Sequence, residues 1–513
     1  MTHRELAHDI RARIEKAQQG GHPKYHERNA QQGKLFVRDR IRLLLDAESP
    51  WVEDGILART LDAEDLPADA VVTGTGILGG RPVAVIANDS TVKAGAWGRV
   101  TVQKILRMQD LAATARIPLV YMQDSAGARL DEQFDIFLDR GHAGKIFYNQ
   151  IQMSGVIPQV CILFGPSPAG AAYLPAFCDL VVMVDGHASS FIGSPRMVEM
   201  VTGERVDMET LGGARMHCSV SGLGDLLAAS EAEAISLVQK FLSYLPSSWT
   251  EPTPVMPPTE PIFTRHIEEI VPAEENVAFD MQEVIRVLVD GHSFFELKPL
   301  YAKELIVGLG SLQGHVVGIL ANQPQVKGGI LFPDSADKGA WFIQLCHAYE
   351  IPMLFLQDIS GFMVGTHVER QGIIRHGAKM LSALAEATVP RIAVLVRKAY
   401  GAGYMAMSGA SFQTDAVLAL PTAKTAIMGP EAAINAIYYN KIQELVGAAR
   451  EEFIATKRAE YDAELAVLHG ASEFFIDAVV PGDLLRNELI YRFQILARKH
   501  DTNIPRRTLV IRG

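Results

Sequence analysis

The chain has 513 residues, 48% hydrophobic and 21% charged, with a net charge of −11. That length is enough for two or three domains with cores of their own, and without a basic field or a Lys/Arg-rich run a nucleic-acid partner is not expected. The cysteines Cys161, Cys178, Cys218 and Cys346 form no CxxC pair, which excludes a zinc ribbon or redox dithiol and points to a reducing compartment.

The first element, MTHRELAHDIRARIEKAQ, reads as an amphipathic helix. Its acids Glu5, Asp9 and Glu15 fit neither a transit peptide nor a signal peptide, so a cytoplasmic protein is expected. A β-hairpin follows over 71–78 and 83–87, turning at Gly79-Gly80. Its GTGILG (74–79) matches GxGxxG, but a strand follows where the dinucleotide fingerprint needs a helix, so that reading is rejected. Next come a helix over 100–115, a strand over 118–123 that ends in QDSAGAR, a further helix, and a strand over 159–164. The stretch PSPAGAAYLPAFCD (166–179) leads into a last strand over 180–184. Residues 157–184 are long and apolar enough to suggest a membrane span, but Pro158, Pro166, Pro168 and Pro175 remove backbone donors that lipid cannot replace. No membrane association is expected.

The pattern is then repeated. GTGILGGRPVAVIAND (74–89) matches GLGSLQGHVVGILANQ (308–323) at an offset of 234, and IPLVYMQDSAG (117–127) matches IPMLFLQDISG (351–361) at the same offset. IRLLLDAESPWVE (41–53) matches IRVLVDGHSFFE (285–296), and GAAYLPAFCD (170–179) matches GAGYMAMSGASFQTD (401–415), with small length changes. A proline-rich joint over 247–263 separates the copies, which places the domains at 1–250 and 251–513. Strand–helix alternation in each copy predicts an α/β fold, an open sheet covered by helices, with ligands at the C-terminal ends of the strands.

Candidate chemistry is sparse. QDSAGAR (123–129) and QDISGFMVG (357–365) open from strands through glycines, where backbone N–H groups favour anions or carbonyls. Arg129 offers a phosphate contact. A plain connection with Asp124 and Asp358 capping helices explains the same residues equally well. His217, His347, His367 and His376 are candidate bases without a partner spacing, and no GxSxG elbow surrounds a serine. A chemistry without a side-chain nucleophile can rest on backbone N–H donors aimed at an oxyanion, and such donors need small neighbours. PSPAGAAY and KAYGAGY, at corresponding places in the two copies, suit that role; tight helix–strand packing also accounts for their small residues.

Taken in order, these segments resemble the carboxyltransferase (β) subunits of biotin-dependent acyl-CoA carboxylases of the propionyl-CoA/methylcrotonyl-CoA type. GKLFVRDRIRLLLD (33–46), QDSAGAR, PAGAAYLPAFCD (168–179) and TGERVDMETLGGARMHCSVSGLGD (202–225) carry the resemblance in the first copy. GFMVG (361–365), GIIRHGAKML (372–381), KAYGAGY (398–404) and MGPEAAINAIY (428–438) carry it in the second. The resemblance implies two tandem crotonase-like domains related by internal duplication, acyl-CoA on the first and biotin on the second. Carboxybiotin, delivered on a separate carrier, releases CO2, and the biotin ureido nitrogen removes the acyl-CoA α-proton, so no side-chain base and no metal is required. Carried over by motif, Gly170 and Ala171 hold the thioester oxygen and Ala402 and Gly403 the ureido oxygen. Ser125, Ala126, Gly127, Ala128, Arg129, Ala172, Tyr173, Gly361, Phe362, Tyr404 and Met405 line the substrates.

The implied partners are an acyl-CoA, a biotin carboxylase/biotin carrier subunit on another chain, and further copies of this chain in a hexamer, a dimer of trimers. The chain has no biotin-attachment AMKM motif of its own. Ala126 and Ala171 stand where the family commonly has glycine. Ser360 and Gln133 also depart from its pattern, and the apolar Met405 favours an acyl group other than propionyl. Two alternatives stay open: the transferase subunit of a biotin-dependent decarboxylase, or a non-catalytic assembly subunit.

Overall fold

The computed structural model describes residues 1–62, 64–497, 499 and 510–511. It divides into two compact units, one over Met1–Pro252 that also takes Val510 and Ile511, and one that begins at Thr253. In the first, strands β1 (Val52–Asp54), β2 (Val71–Leu78), β3 (Arg81–Asn88), β4 (Leu119–Gln123), β5 (Gln159–Leu163), β6 (Pro166–Pro168), β7 (Leu180–Val184), β8 (Ser189–Phe191) and β9 (Leu226–Ala228) build a seven-stranded sheet ordered β1-β2-β3-β4-β5-β7-β9, with β6 and β8 paired apart from it. The β2–β3 hairpin is antiparallel and the strands from β3 to β9 run parallel. Every residue of β4, β5 and β7 is buried, as central parallel strands with both faces covered require. Over the sheet, helix Arg99–Ala115 buries Val102, Ile105, Met108 and Ala112, one apolar stripe at helical spacing.

The second unit repeats the plan with β10 (Phe295–Leu297), β11 (Leu305–Leu312), β12 (His315–Asn322), β13 (Met353–Ile359), β14 (Arg391–Tyr400), β15 (Ala416–Ala419), β16 (Lys424–Ala426) and β17 (Ala478–Val479). The duplication extends to register. Ala84 pairs with Leu119 and Gly318 with Met353; Val71 pairs with Asn88 and Leu305 with Asn322. All four partners keep the offset of 234. The hairpin, the rejection of the dinucleotide fingerprint and the strand order up to Val184 thus match the sequence reading. The proline-rich joint turns at Ser248–Glu251, the Glu251 N–H donating to Ser248 O at 3.0 Å, and is then tied to the second hairpin, the Met256 N–H donating to Gly314 O at 2.8 Å. Among the described residues no helix is long and apolar enough to cross a membrane.

One duplicated device could not be read from hydrophobic pattern. Lys104 and Lys338, again 234 apart, are buried and pin the turn before each hairpin. Lys104 Nζ donates to Ala68 O (2.9 Å) and Val71 O (2.5 Å). Lys338 Nζ donates to Lys298 O (3.0 Å), Tyr301 O (2.8 Å) and Ala302 O (3.3 Å). Burial pushes the Lys104 ammonium down to about 8 and the Lys338 ammonium down to about 7. Because the folded state sheds a proton that the unfolded chain keeps up to about 10.4, each lysine adds stability as pH rises between its folded and unfolded values, by at most about 1.4 kcal/mol per pH unit. In urea melts from pH 7 to 10, the stability of wild type relative to Lys338→Met is therefore expected to increase with pH; a pH-independent difference would contradict the assignment.

Candidate active site

In the first unit the site is built where β4 and β5 end. Asp124, directly after β4, does not cap a helix. Its carboxylate accepts from Lys34 Nζ (2.9 and 3.1 Å) and from Arg40 Nη1 (3.2 Å) and Nη2 (3.3 Å). The Arg40 guanidinium also meets Glu231 (2.5 and 2.8 Å) and lies 4.3 Å over the Phe164 ring. Burial works against the Arg40 charge, yet Glu231 and Asp124 outweigh it and hold the group above its ordinary range. Gly165 must lack a side chain, because a Cβ there would collide with the Asp124 carboxylate. Asp358 is not a cap either; Arg397 binds it through Nη2 at 2.8 Å, and the Lys398 N–H donates to it at 3.1 Å.

The turn after Asp124 differs from the outward-facing donor set expected of it. Ser125 N–H donates to Pro166 O (2.9 Å), Ala126 N–H to Ala94 O (2.9 Å), Gly127 N–H to Ser125 Oγ (3.1 Å) and Arg129 N–H to Trp97 O (2.9 Å). These groups are spent on holding the turn. Arg129 is not available to a phosphate: it is 6% exposed and its Nη1 pairs with Asp69 at 2.6 Å. Gly127, with φ of +95°, lies against Pro168, a Cβ there reaching Cγ at 3.4 Å. Ala126 and Ala128 face outward, beside a cleft of about 1440 Å³ that Ser125, Ala126 and Pro166 line together with Lys34, Arg28 and Lys93.

The small-residue loop opens two short helical turns, Ala169–Ala172 and Tyr173–Ala176. Ala169 sits at φ +55°, a conformation that costs an alanine about 1 kcal/mol or more. Ser167 Oγ fixes the turn by donating to Ala171 O at 2.8 Å. Gly170 is exposed, and a Cβ on it would meet only Phe147 Cζ at 3.9 Å. Ala171 and Ala172 are buried, so the methyl that Ala171 carries where the family commonly has glycine lies on the packed side, and Tyr173 is half exposed. The first N–H groups of such a turn have no partner within it.

In the second unit, β14 delivers the chain to helix Gly401–Ala406. Gly401 takes φ +56° and Ala402 is exposed. Gly403 is buried: a Cβ would stand 2.8 Å from Ile359 Cδ1 and 2.9 Å from Gly361 Cα, so close packing explains that glycine. Tyr404 is turned aside to accept from the Ala410 N–H at 3.0 Å. Met405 is 43% exposed, and the Phe362 ring rests on Gly377. Gly361 and Gly365, at φ +136° and +125°, face open space. Burial and the neighbouring Glu275, which accepts from the phenol at 3.0 Å, push Tyr400 upward.

The histidines divide otherwise. His217 is structural, with Nδ1 2.7 Å from Ser221 Oγ and Nε2 2.7 Å from Ser190 O, and burial lowers its proton affinity. His376 Nδ1 contacts Asp337 at 2.8 Å. The buried charges Arg40, Glu231 and Asp69 escaped the sequence reading because their partners lie far away in the chain. The one available signal was the repetition of aspartate at 124 and 358.

A family profile described as carboxyl transferase domain matches residues 28–511. The chain is similar to an uncharacterized carboxylase, YngE, of Bacillus subtilis (55% identical, covering 96% of each chain). It is similar to the mitochondrial methylcrotonoyl-CoA carboxylase beta chain of Dictyostelium discoideum (42% identical, 83% of this chain and 73% of the relative). Proteins named propionyl-CoA carboxylase beta chain and methylmalonyl-CoA decarboxylase subunit alpha match as well, at 38% and 37% identity. Among solved structures, the transcarboxylase 12S hexamer with methylmalonyl-coenzyme A bound superposes with a TM-score of 0.93 at 34% identity, over 99% of this chain and 98% of that one.

Proposed function

Because the chain belongs to the carboxyltransferase family of biotin-dependent acyl-CoA carboxylases, we propose that it transfers CO2 from carboxybiotin on a separate carrier to the α (or vinylogous γ) carbon of an acyl-CoA, through backbone donors. The observation that carries this reading is the pair of exposed small-residue turns, at Gly170 and Ala402, after the equivalent strands β5 and β14. Carboxybiotin would supply both the CO2 and the basic ureido nitrogen. This chain's part is to bind, orient and stabilise. Of the donors carried over by motif, Gly170 and Ala402 are the exposed members of their pairs. They are assigned to the thioester and ureido oxygens, with Ala171 and Gly403 as packing partners. The cleft beside Ser125 and Ala126 carries Arg28 on its wall, together with Lys34 and Lys93, which pair with Asp124 and Glu64 there; its size and Arg28 suit a CoA. Open space at Gly361 and Gly365, with Phe362 partly exposed between them, suits a flat uncharged ureido ring. The working assembly is taken to be a hexamer of this chain; the transcarboxylase 12S structure is a hexamer.

Purified chain with its carboxylated biotin carrier and a panel of acyl-CoAs is expected to yield a carboxylated product; no turnover with any acyl-CoA would sink the proposal. The decarboxylase relatives support a second reading in the reverse direction. Release of CO2 from a carboxyacyl-CoA to free carrier, without measurable forward transfer, would favour it.

A further inference from the structure

We propose that Arg129, paired with Asp69 and passing under Gly98, is a positioning residue for the first-unit site; the inference rests on the carboxyltransferase reading above. Asp69 is fully buried within a left-handed run, Ala68, Asp69 and Ala70, at φ +51°, +53° and +63°. Its carboxylate accepts from Arg129 Nη1 (2.6 Å), the Thr101 N–H (2.6 Å) and Thr101 Oγ1 (3.0 Å). Lys104 holds the same run through Ala68 O. The other flank of the guanidinium is Glu132, which Nη1 meets at 3.2 Å and whose second oxygen takes the Arg99 N–H at 2.8 Å. Gly98 makes room for this crossing, since a Cβ there would lie 2.9 Å from Arg129 Cζ and 2.7 Å from Glu132 Oε2.

The clamp leads to the reacting loop by a short path. Trp97 N–H donates to Gly127 O at 2.8 Å and Arg129 N–H returns to Trp97 O at 2.9 Å. From the same turn, Ser125 N–H reaches Pro166 O, and Gly127 lies against Pro168. Pro168 is two residues before Gly170.

The fold itself does not demand the ion pair. At the offset of 234, Met363 replaces Arg129 and Phe332 replaces Gly98. There the corresponding backbone pairs still form, Leu331 N–H to Gly361 O (3.2 Å) and Met363 N–H to Leu331 O (2.8 Å). A buried charge pair present in one copy and dispensable in the other is best explained by a demand of the first site: fixing where Gly170 points its N–H. A displacement near 1 Å at such a donor costs about 10²-fold in rate.

The test uses the full chain with its biotin carrier, as Arg129→Lys and, separately, Gly98→Ala, which leaves the arginine in place but blocks its path. Both are expected to lower kcat about 10-fold or more and to speed hydrogen exchange of the 125–129 amides. KM for acyl-CoA and calorimetric affinity for coenzyme A are expected to stay within about two-fold of wild type. Unchanged kcat, or a loss that only follows the unfolded fraction, overturns the proposal. So does weakened coenzyme A binding at full kcat, which would make Arg129 a phosphate ligand. If wild type itself turns over no acyl-CoA, the carboxyltransferase reading fails separately, and unchanged amide exchange in both variants would still refute the clamp.

Discussion

Gly170→Val keeps the backbone N–H but bars a substrate oxygen from it, so it is expected to lower kcat by about 10²–10³-fold, as much as losing one oxyanion donor, while the unfolding midpoint stays near that of wild type. Gly170 does not sit at positive φ, and its added side chain would enter open space, with Phe147 Cζ as its nearest neighbour at 3.9 Å. The fold therefore tolerates the bulk, and a substrate carbonyl does not. Replacing glycine also narrows the unfolded ensemble, which acts against any loss of stability. Ala402→Val applies the same logic to the second unit, where the exposed alanine is the second residue of its helix. Ala171 and Gly403 are poorer probes: the first is 3% exposed and the second packs on Ile359 and Gly361, so valine would disturb packing at both. Steady-state kinetics beside thermal melts separates the two effects. Full activity in Gly170→Val would remove that N–H from the mechanism.

Much of the architecture was legible because it depends on periodicity that a linear reading can follow. The near-continuous apolar runs of β4, β5 and β7 announce central strands, Gly79-Gly80 announces a hairpin, and the repeat at 234 carries even the strand register. The small-residue loops were legible as well, although one residue type serves two ends. Gly170 leaves a surface open, whereas Gly403 lets two backbones touch, and composition does not distinguish them. Hidden altogether were the buried charges. Arg129 read as a phosphate ligand because its partner Asp69 lies 60 residues away in the chain. For Asp124 and Asp358 the sequence left helix capping and a ligand-facing turn equally open, because position at a strand end is all that it shows. In the fold they do one job with unrelated partners: Arg40 comes from helix Val37–Leu44, and Arg397 from β14. Duplication kept the carboxylates, and each copy found its own cation.

The Arg40 cluster carries the largest expected effect on stability. Arg40 is 1% exposed and bridges Asp124 and Glu231, which are 84 and 191 residues away along the chain. Around it, Glu231 Oε2 also takes the Leu35 N–H at 3.1 Å, and Lys34 shares Asp124. A pair of this kind adds little over a well-packed apolar substitute, because desolvating the charges offsets their attraction. Breaking it is different. Arg40→Met keeps most of the volume but leaves two buried carboxylates, Asp124 with Lys34 and Glu231 with the Leu35 N–H, and it is expected to cost about 3–5 kcal/mol. Replacing the whole cluster, Arg40→Met with Asp124→Asn and Glu231→Gln, should be less destabilising than Arg40→Met alone. Urea midpoints at pH 7 measure both variants; a single variant as stable as wild type, or a triple variant worse than the single, would show that the cluster is not a charge-balanced unit. Because Asp124 immediately precedes the Ser125–Arg129 turn and touches the face of Gly165, the same unit that joins the N-terminal segment to the sheet also sets the floor on which the turn beside Gly170 rests.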